Sequence, residues 1–291
     1  MTKTIGIIAW GAQADVLYAT PIVRHVRDKF PDAYITWLVR DKFAEVVETN
    51  PHIDKIKTFT LPEGHTNRQD AEYIMDKTIR EFASRTYDRV LDLQYWPTFS
   101  NFYERPTEDF ISLRARNAGL DPNDIVDRKI VMPVTSTDAV GVRKFRHAKM
   151  GKHLDKKFIT VNHISYAASP VWSFQNYSDL VDILDHEYDV LSVFTGAPNE
   201  PIPEHCVDAR GMPYRQWAGL IHISRLWLGL DSGAVALACA GSAPIIKLHS
   251  KDFPLAKTGI KAMGLRRESV LELYPAPSVE SMAELIMENI K

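Results

Sequence analysis

Four short segments carry side chains able to do chemistry, and each follows an apolar run. Asp15 closes the segment Trp10-Gly11-Ala12-Gln13-Ala14-Asp15, just beyond the run Thr4 to Ala9. A carboxylate there can take a proton from a substrate hydroxyl once its neighbours adjust its acidity, or it can cap the helix that starts at that point. Gln94, Tyr95 and Trp96 open an unusually aromatic loop that continues to Tyr103. Aromatic faces beside a planar amide suit a sugar, although core packing or an oligomer contact explains any single ring as well. Glu200 follows Phe194-Thr195-Gly196-Ala197-Pro198-Asn199, where a carboxylate can accept from ribose hydroxyls or simply be a solvated loop acid. Asp231, Ser232, Gly233 and Ala234 follow Leu226 to Leu230 and precede a run of small residues to Ala240. A helix beginning there presents free N–H groups that favour an anion such as a phosphate, and Gly233 lets a ligand approach the backbone. Asp231 and Ser232 can equally serve only as helix caps.

These segments need a scaffold that brings strand ends to one edge. Apolar runs at Thr4 to Ala9, Tyr34 to Val39, Lys55 to Phe59 and Arg89 to Leu93 alternate with helical patterns at 15–29, 43–48 and 70–85. A second series has strands at 157–162, 190–194, 226–230 and 243–248, with helices at 177–184, 214–223 and 234–240. Such alternation predicts βα units around parallel sheets, which hold ligands at the carboxyl ends of their strands. The 291 residues therefore divide into two α/β halves, 1–150 and 151–291. Ser278 to Ile290 reads as an amphipathic helix with Met282, Leu285 and Ile286 toward a core. Between the halves, the stretch 142–157 holds nine Lys, Arg or His residues against Asp155 alone. It is either a solvated helix and linker or a basic wall facing a phosphorylated substrate or an anionic lipid surface.

Composition removes several classes. A formal net charge of −2 gives no support to a nucleic-acid binder. Cys206 and Cys239 have no metal-ligand spacing and imply a reducing compartment. No signal peptide or membrane-spanning run is evident, so a cytoplasmic location is expected. There is no GxGxxG, Walker A or GxSxG pattern, no DxD and no HExxH, and His222 reads as structural. No metal site is expected.

Taken together, the two halves resemble the family 9 glycosyltransferases, the ADP-heptose:lipopolysaccharide heptosyltransferase-like group. ADVLYATPIVRHVRDKFPDAYITWLV followed by NPHIDKI resembles their aspartate-led helix, Phe-Pro-x-Ala turn and Asn-Pro-x-Ile-Asp segment. GAPNE and LDSGAVALACAGSAPIIKLHS resemble their acidic strand-end motif and their Asp-Thr-Gly donor loop. The likeness spans most of the chain and implies a GT-B fold, two Rossmann-like domains whose parallel sheets face a central cleft. Domain 1–150 would bind the acceptor and 151–291 the donor, with the terminal helix packing back on the first. The resemblance further implies Asp15 as general base and Glu200 on the nucleoside. Asp231, Ser232, Gly233 and the amide of Ala234 would hold the pyrophosphate, and Gln94, Tyr95 and Trp96 are expected to face the acceptor. The implied reaction is an inverting, metal-independent transfer with no cofactor. Its donor would be a nucleotide-sugar, ADP-heptose first, and its acceptor a surface glycan or lipopolysaccharide-type glycolipid. Peripheral membrane contact would run through 142–157. A catalytically silent nucleotide- or glycan-binding GT-B protein and a sugar-nucleotide epimerase share the architecture. The sequence departs from the family at Ala14 for glycine, at Ala236 for histidine, and at Pro170-Val171-Trp172-Ser173 for Lys-x-Trp-Pro. Arg24, Lys247 and Lys251 are the candidates to replace the lysine's charge.

Overall fold

The computed structural model describes residues 2–61, 68–85, 87–94, 108–166, 169–252, 255–265 and 268–290, with side chains for all of these but 68–75. The chain divides into two compact units, Met1–Met132 and Pro133–Lys291.

In the first unit, β1 (Thr4–Ile8), β2 (Tyr34–Arg40), β3 (Lys55–Phe59) and β4 (Arg89–Asp92) form a parallel sheet in the order β3-β2-β1-β4. The chain builds β1, β2 and β3 outward in one direction and then returns to lay β4 on the other side of β1. That reversal opens a crevice at the carboxyl ends of β1 and β4, where α/β folds bind ligands. Helix α1 (Gln13–Lys29) buries Val16, Ala19, Val23 and Val26 on one face. Pro21 inside it cannot donate to Leu17, and the Thr20 hydroxyl bonds that carbonyl instead at 2.7 Å. Helix α2 (Arg68–Ala83) precedes β4. Helix α3 (Phe110–Asn117) starts at Asp109, whose Oδ1 accepts from the N–H groups of Ile111 and Ser112 at 2.9 and 3.0 Å. Such a cap is worth about 1 kcal/mol.

The second unit holds α4 (Ser136–Met150), β5 (Lys157–Asn162), α5 (Phe174–Tyr188), β6 (Val190–Phe194), β7 (Val207–Asp208) and α6 (Tyr214–Ile223). It continues with β8 (Trp227–Leu230), α7 (Ala234–Ala240), β9 (Ile245–Leu248), α8 (Leu255–Thr258), β10 (Val270–Leu273) and α9 (Val279–Asn289). Its parallel sheet runs β10-β9-β8-β5-β6-β7, so the direction of building reverses between β5 and β8.

Val142 and Met150 of α4 are buried in a cluster with Phe158, Leu191, Val193 and Leu220, so the division falls after Met132 and the basic stretch belongs wholly to the second unit. The terminal helix α9 packs on α5 of its own unit, where Met282, Ala283 and Ile286 share a core with Tyr177, Leu180 and Leu184. Full burial of an aliphatic side chain contributes about 1.5–3 kcal/mol, which favours this placement.

Candidate functional site

In the first unit, the loop after β1 meets the loop after β4. Gln94 Oε1 accepts the N–H groups of Trp10 and Gly11, both at 3.0 Å, and ties the two strand ends together. Asp15 is the third residue of α1, and its Oδ2 accepts the Ala12 N–H at 2.8 Å. Ala12 has no side-chain oxygen to return the bond, so Asp15 supplies the whole polar closure of this helix start. Its Oδ1 pairs with Arg114 on α3, a guanidinium only 1% exposed that also donates to the Leu93 carbonyl at 2.8 Å. Gly11 is required by this packing, because a Cβ there would lie 2.5 Å from Asp15 Oδ2 and 2.8 Å from Gln94 Nε2. An ionised carboxyl offers about four lone pairs, so Asp15 can still accept a proton while holding both contacts. Tyr95 and Trp96 lie outside the described residues.

In the second unit, the corresponding crevice lies between β5 and β8. Ser232 Oγ donates to Asn162 Oδ1 at 2.7 Å across it, and the Ala234 N–H reaches Ser232 Oγ at 3.3 Å. The Ser165 hydroxyl bonds the Asp231 carbonyl. Helix α7 is seven residues long, about two turns.

The Asp231 carboxylate turns away from this opening into a buried network. Its Oδ1 meets Lys247 Nζ at 2.5 Å, while its Oδ2 lies 3.3 Å from His249 Nδ1 and accepts the Ser250 N–H at 3.1 Å. His249 Nε2 bonds Glu272 Oε1 at 2.9 Å, and Glu272 also accepts from the N–H groups of Ile260 and Lys261 at 2.7 and 3.2 Å. Lys247 Nζ donates to the Thr258 carbonyl at 2.6 Å. Burial pushes the Asp231 carboxyl up, but His249 and Lys247 outweigh it and hold it below the usual carboxylate range. For His249, burial favours the neutral ring, yet Asp231 and Glu272 reverse that and raise it above its ordinary value. Glu272, lifted by burial, ends lowered by His249 and the two backbone N–H groups. With His249 protonated, two cations balance two carboxylates under the turn. Lys247 and Arg24 are consequently spoken for, Arg24 by Asp127 at 2.8 Å, and Lys251 remains exposed.

Glu200 lies beyond β6 and is 5% exposed. Tyr166 donates its hydroxyl to Glu200 Oε1 at 2.9 Å, whereas Oε2 is buried with no hydrogen-bond partner. Room for that oxygen exists because residue 196 is glycine: a Cβ would stand 1.9 Å from Oε2, and the backbone has φ +150°. Arg210 holds the loop by donating to the Glu200 carbonyl while bonding both oxygens of Asp208 at 2.8 Å. Gly196→Ala is expected to destabilise the second unit by roughly 1–3 kcal/mol from the backbone alone and to expel the carboxylate. A melting curve checks the first effect, and loss of nucleotide affinity the second.

Asp15, Gln94 and Ser232 lie at the strand ends that border the two crevices, and Glu200 lies beyond β6; sequence reasoning offered no reading of Arg114, Asn162, Tyr166 or the linkage of Lys247, His249 and Glu272. A signal existed for two of them. Arg114 sits among Leu113 and Ala115, and Lys247 interrupts the apolar strand Ile245–Leu248; a charge in such a run needs a buried partner. Pro170-Val171-Trp172-Ser173 serves the fold, with Trp172 Nε1 bonding the Pro277 carbonyl at 3.1 Å and Ser173 capping α5.

On the basic stretch, Lys156 pairs with Asp185 and Asp189 at 3.4 and 2.6 Å, and Arg146 bonds the Leu154 carbonyl at 2.7 Å. Arg143, Lys144, Lys149, Lys152 and Lys157 are exposed. Among the described residues no helix is long and apolar enough to cross a membrane, and no cluster of His, Cys, Asp or Glu could hold a metal ion.

No protein-family model matches this sequence, and no curated protein does. Solved structures do. A family 9 glycosyl transferase from Veillonella parvula is similar with a TM-score of 0.71 and 19% identity, over 99% of this chain and 92% of that one. The ADP-heptose LPS heptosyltransferase II of E. coli gives 0.67 and 13%, over 100% and 98%. The E. coli heptosyltransferase WaaC with ADP-2-deoxy-2-fluoro heptose gives 0.61 and 15%, over 98% and 99%. Likeness of this kind over whole chains shows the fold. The chain has the GT-B architecture, with two Rossmann-like units each built on a parallel sheet.

Proposed function

We propose that this protein is a glycosyltransferase of the heptosyltransferase type, moving a sugar from a nucleotide-sugar to a surface glycan or lipopolysaccharide-type acceptor. The observation that carries the reading is Glu200: a buried carboxylate oxygen without a partner, in space kept clear by Gly196 at a strand's carboxyl end. A vicinal diol such as a ribose supplies the two donors that this carboxylate accepts. The turn of Ser232, Gly233 and Ala234 at the neighbouring crevice serves the diphosphate, which would take over the Ser232 hydroxyl from Asn162 and the Ala234 N–H from Ser232, and Gln94 with Tyr95 and Trp96 serves the acceptor.

In this reading the Asp15 carboxylate takes the proton of the acceptor hydroxyl. The hydroxyl oxygen bonds the anomeric carbon as the bond from that carbon to the diphosphate oxygen breaks, and the leaving nucleotide keeps the electron pair. Attack from the face opposite the leaving group inverts the anomeric centre. The step uses no metal, and heptose on ADP is the first donor to try because two of the similar structures are ADP-heptose or heptosyltransferase proteins.

ADP, UDP and GDP titrated in a thermal-shift experiment test this. The cognate nucleotide is expected to raise the melting temperature progressively, since ligand at 100 times Kd stabilises by about 2.7 kcal/mol. No shift with any of the three at millimolar concentration would remove the transferase reading. Binding without turnover on any nucleotide-sugar would instead favour a silent binding protein.

A further inference from the structure

We propose that Lys247, His249 and Glu272 are positioning residues for nucleotide binding: acting through Asp231, they fix the Asp231–Ala234 turn and keep the ground beneath it electrically neutral. The inference rests on the nucleotide-binding reading above and assigns residues to which that reading gives no part.

Three observations lead to it. First, Asp231 cannot itself hold a diphosphate. It is 6% exposed, both its oxygens are engaged by Lys247, His249 and Ser250, and a carboxylate repels a phosphate. Its contribution must therefore pass through the main chain that it anchors.

Second, the strand register assembles the network deliberately on one face. Lys247 of β9 stands beside Gly229 of β8 and Glu272 of β10, and Asp231 and His249 lie two residues further along their strands on the same side. From there the network ties the turn to three strands and, through Thr258, Ile260 and Lys261, to the end of α8 and the segment that follows it. With Ser165 on the Asp231 carbonyl and Asn162 on Ser232, the turn is held from four sides. Its backbone is thus set before a ligand arrives, which removes an ordering cost from binding.

Third, the charges balance only while His249 is protonated. Lys247 and His249 then offset Asp231 and Glu272; loss of the His249 proton leaves one uncompensated negative charge under a site meant for an anion. Other charged groups on the surrounding elements include Lys251 and Asp252 beyond β9, the buried Lys257 in α8 and Lys261 after it. Asp252 is held below its ordinary value by Ser169 and stays charged throughout the alkaline range. Asp231 and Glu272, both lowered, do the same. His249, which contacts Asp231 and Glu272 at 3.3 and 2.9 Å, is the group whose proton completes the balance, and burial, which favours its neutral ring, is outweighed by these partners so that it titrates at a value above its ordinary one. Binding should therefore be strong below that value and weaken as pH rises through it.

Calorimetric titration of the whole chain with ADP, or with UDP or GDP if that is the nucleotide bound, tests this between pH 7 and 9.5. The ligand's terminal phosphate, with a second pKa of about 6, gains at most a fraction of a negative charge across this range, which would strengthen and not weaken binding to an anion-binding site as pH rises. The wild type is expected to lose about tenfold in affinity, a typical size for coupling between two sites. His249→Gln should bind at the weak end throughout, with a flat profile. Glu272→Gln should move the loss to lower pH by removing one partner of His249, and it remains a test if His249→Gln does not fold. Lys247→Met should weaken binding and Lys247→Arg restore it. Identical pH profiles for wild type and His249→Gln would overturn the inference while leaving the nucleotide site in place. Absence of binding by the wild type would overturn the site and the inference together.

Discussion

Lys247→Met is expected to lower the stability of the second unit by about 3–5 kcal/mol, the usual cost of removing one partner from a buried ion pair. Lys247 is 1% exposed, so the Asp231 carboxylate left behind cannot recover hydration in its place. Losses of this size rival the whole margin of an ordinary domain, about 5–15 kcal/mol. The loss belongs to the orphaned charge more than to the missing bond, and a second substitution separates the two. Asp231→Asn keeps an acceptor for the Ser250 N–H and removes the charge, leaving His249 and Glu272 as a balanced pair. The double variant should therefore be more stable than Lys247→Met alone, which chemical denaturation of the four members of the cycle will show. A double variant as unstable as the sum of the two singles would mean that Lys247 acts by packing and not through Asp231. pH sets the limits of the same experiment. Asp231 and Glu272, both lowered, give stability that is present above ordinary carboxylate values and lost as pH falls through their depressed ones. His249, raised, gives stability present below its ordinary 6.5 and lost as pH rises through its higher folded value. The plateau therefore lies between ordinary carboxylate values and the ordinary 6.5 of histidine, and neutral pH falls where the His249 contribution begins to be lost.

The layout of the sheets was legible because parallel strands buried on both faces read as unbroken apolar runs, and helices between them show a clear spacing. Thr4–Ile8 and Val190–Phe194 are examples, as are the placements of Val16, Val23 and Val26 on α1. Short or polar elements were not legible. Val207–Asp208 is two residues long, and Val270–Leu273 carries the charged Glu272 in its middle. The stretch 142–157 reads as a solvated helix and linker or a basic wall because basic residues dominate its composition, although Val142 and Met150 at the right spacing anchor the helix Ser136–Met150. At the site, sequence could place Asp15 and Asp231 at strand ends but not say where their oxygens point. Both have a cation on a distant element, Arg114 at 99 residues' separation and Lys247 on the neighbouring strand, and only the folded chain pairs them. The two aspartates that looked alike thus part company: Asp231 is sealed, while Asp15 keeps a side chain 35% exposed.

That exposure makes Asp15→Asn the decisive catalytic substitution. Once a donor and acceptor pair supports turnover, kcat is expected to fall by about 10²–10⁴-fold, the contribution of a positioned general base. Nucleotide affinity should stay unchanged, because the residues proposed to hold the nucleotide all lie in the second unit. The substitution is not silent for the fold. One asparagine oxygen cannot accept from both Ala12 and Arg114 as the carboxylate does, and its NH₂ then faces a donor. A net loss of about 1–3 kcal/mol follows from such an unsatisfied contact. Stability loss alone would lower activity only through the folded fraction, which a melting curve measures independently. Arg114→Met supplies the contrast. It disturbs the same helix start and leaves the carboxylate, so it should retain far more turnover than Asp15→Asn at equal or greater cost in stability. If the two variants instead lose activity in step with their melting temperatures, Asp15 closes the helix start and takes no proton.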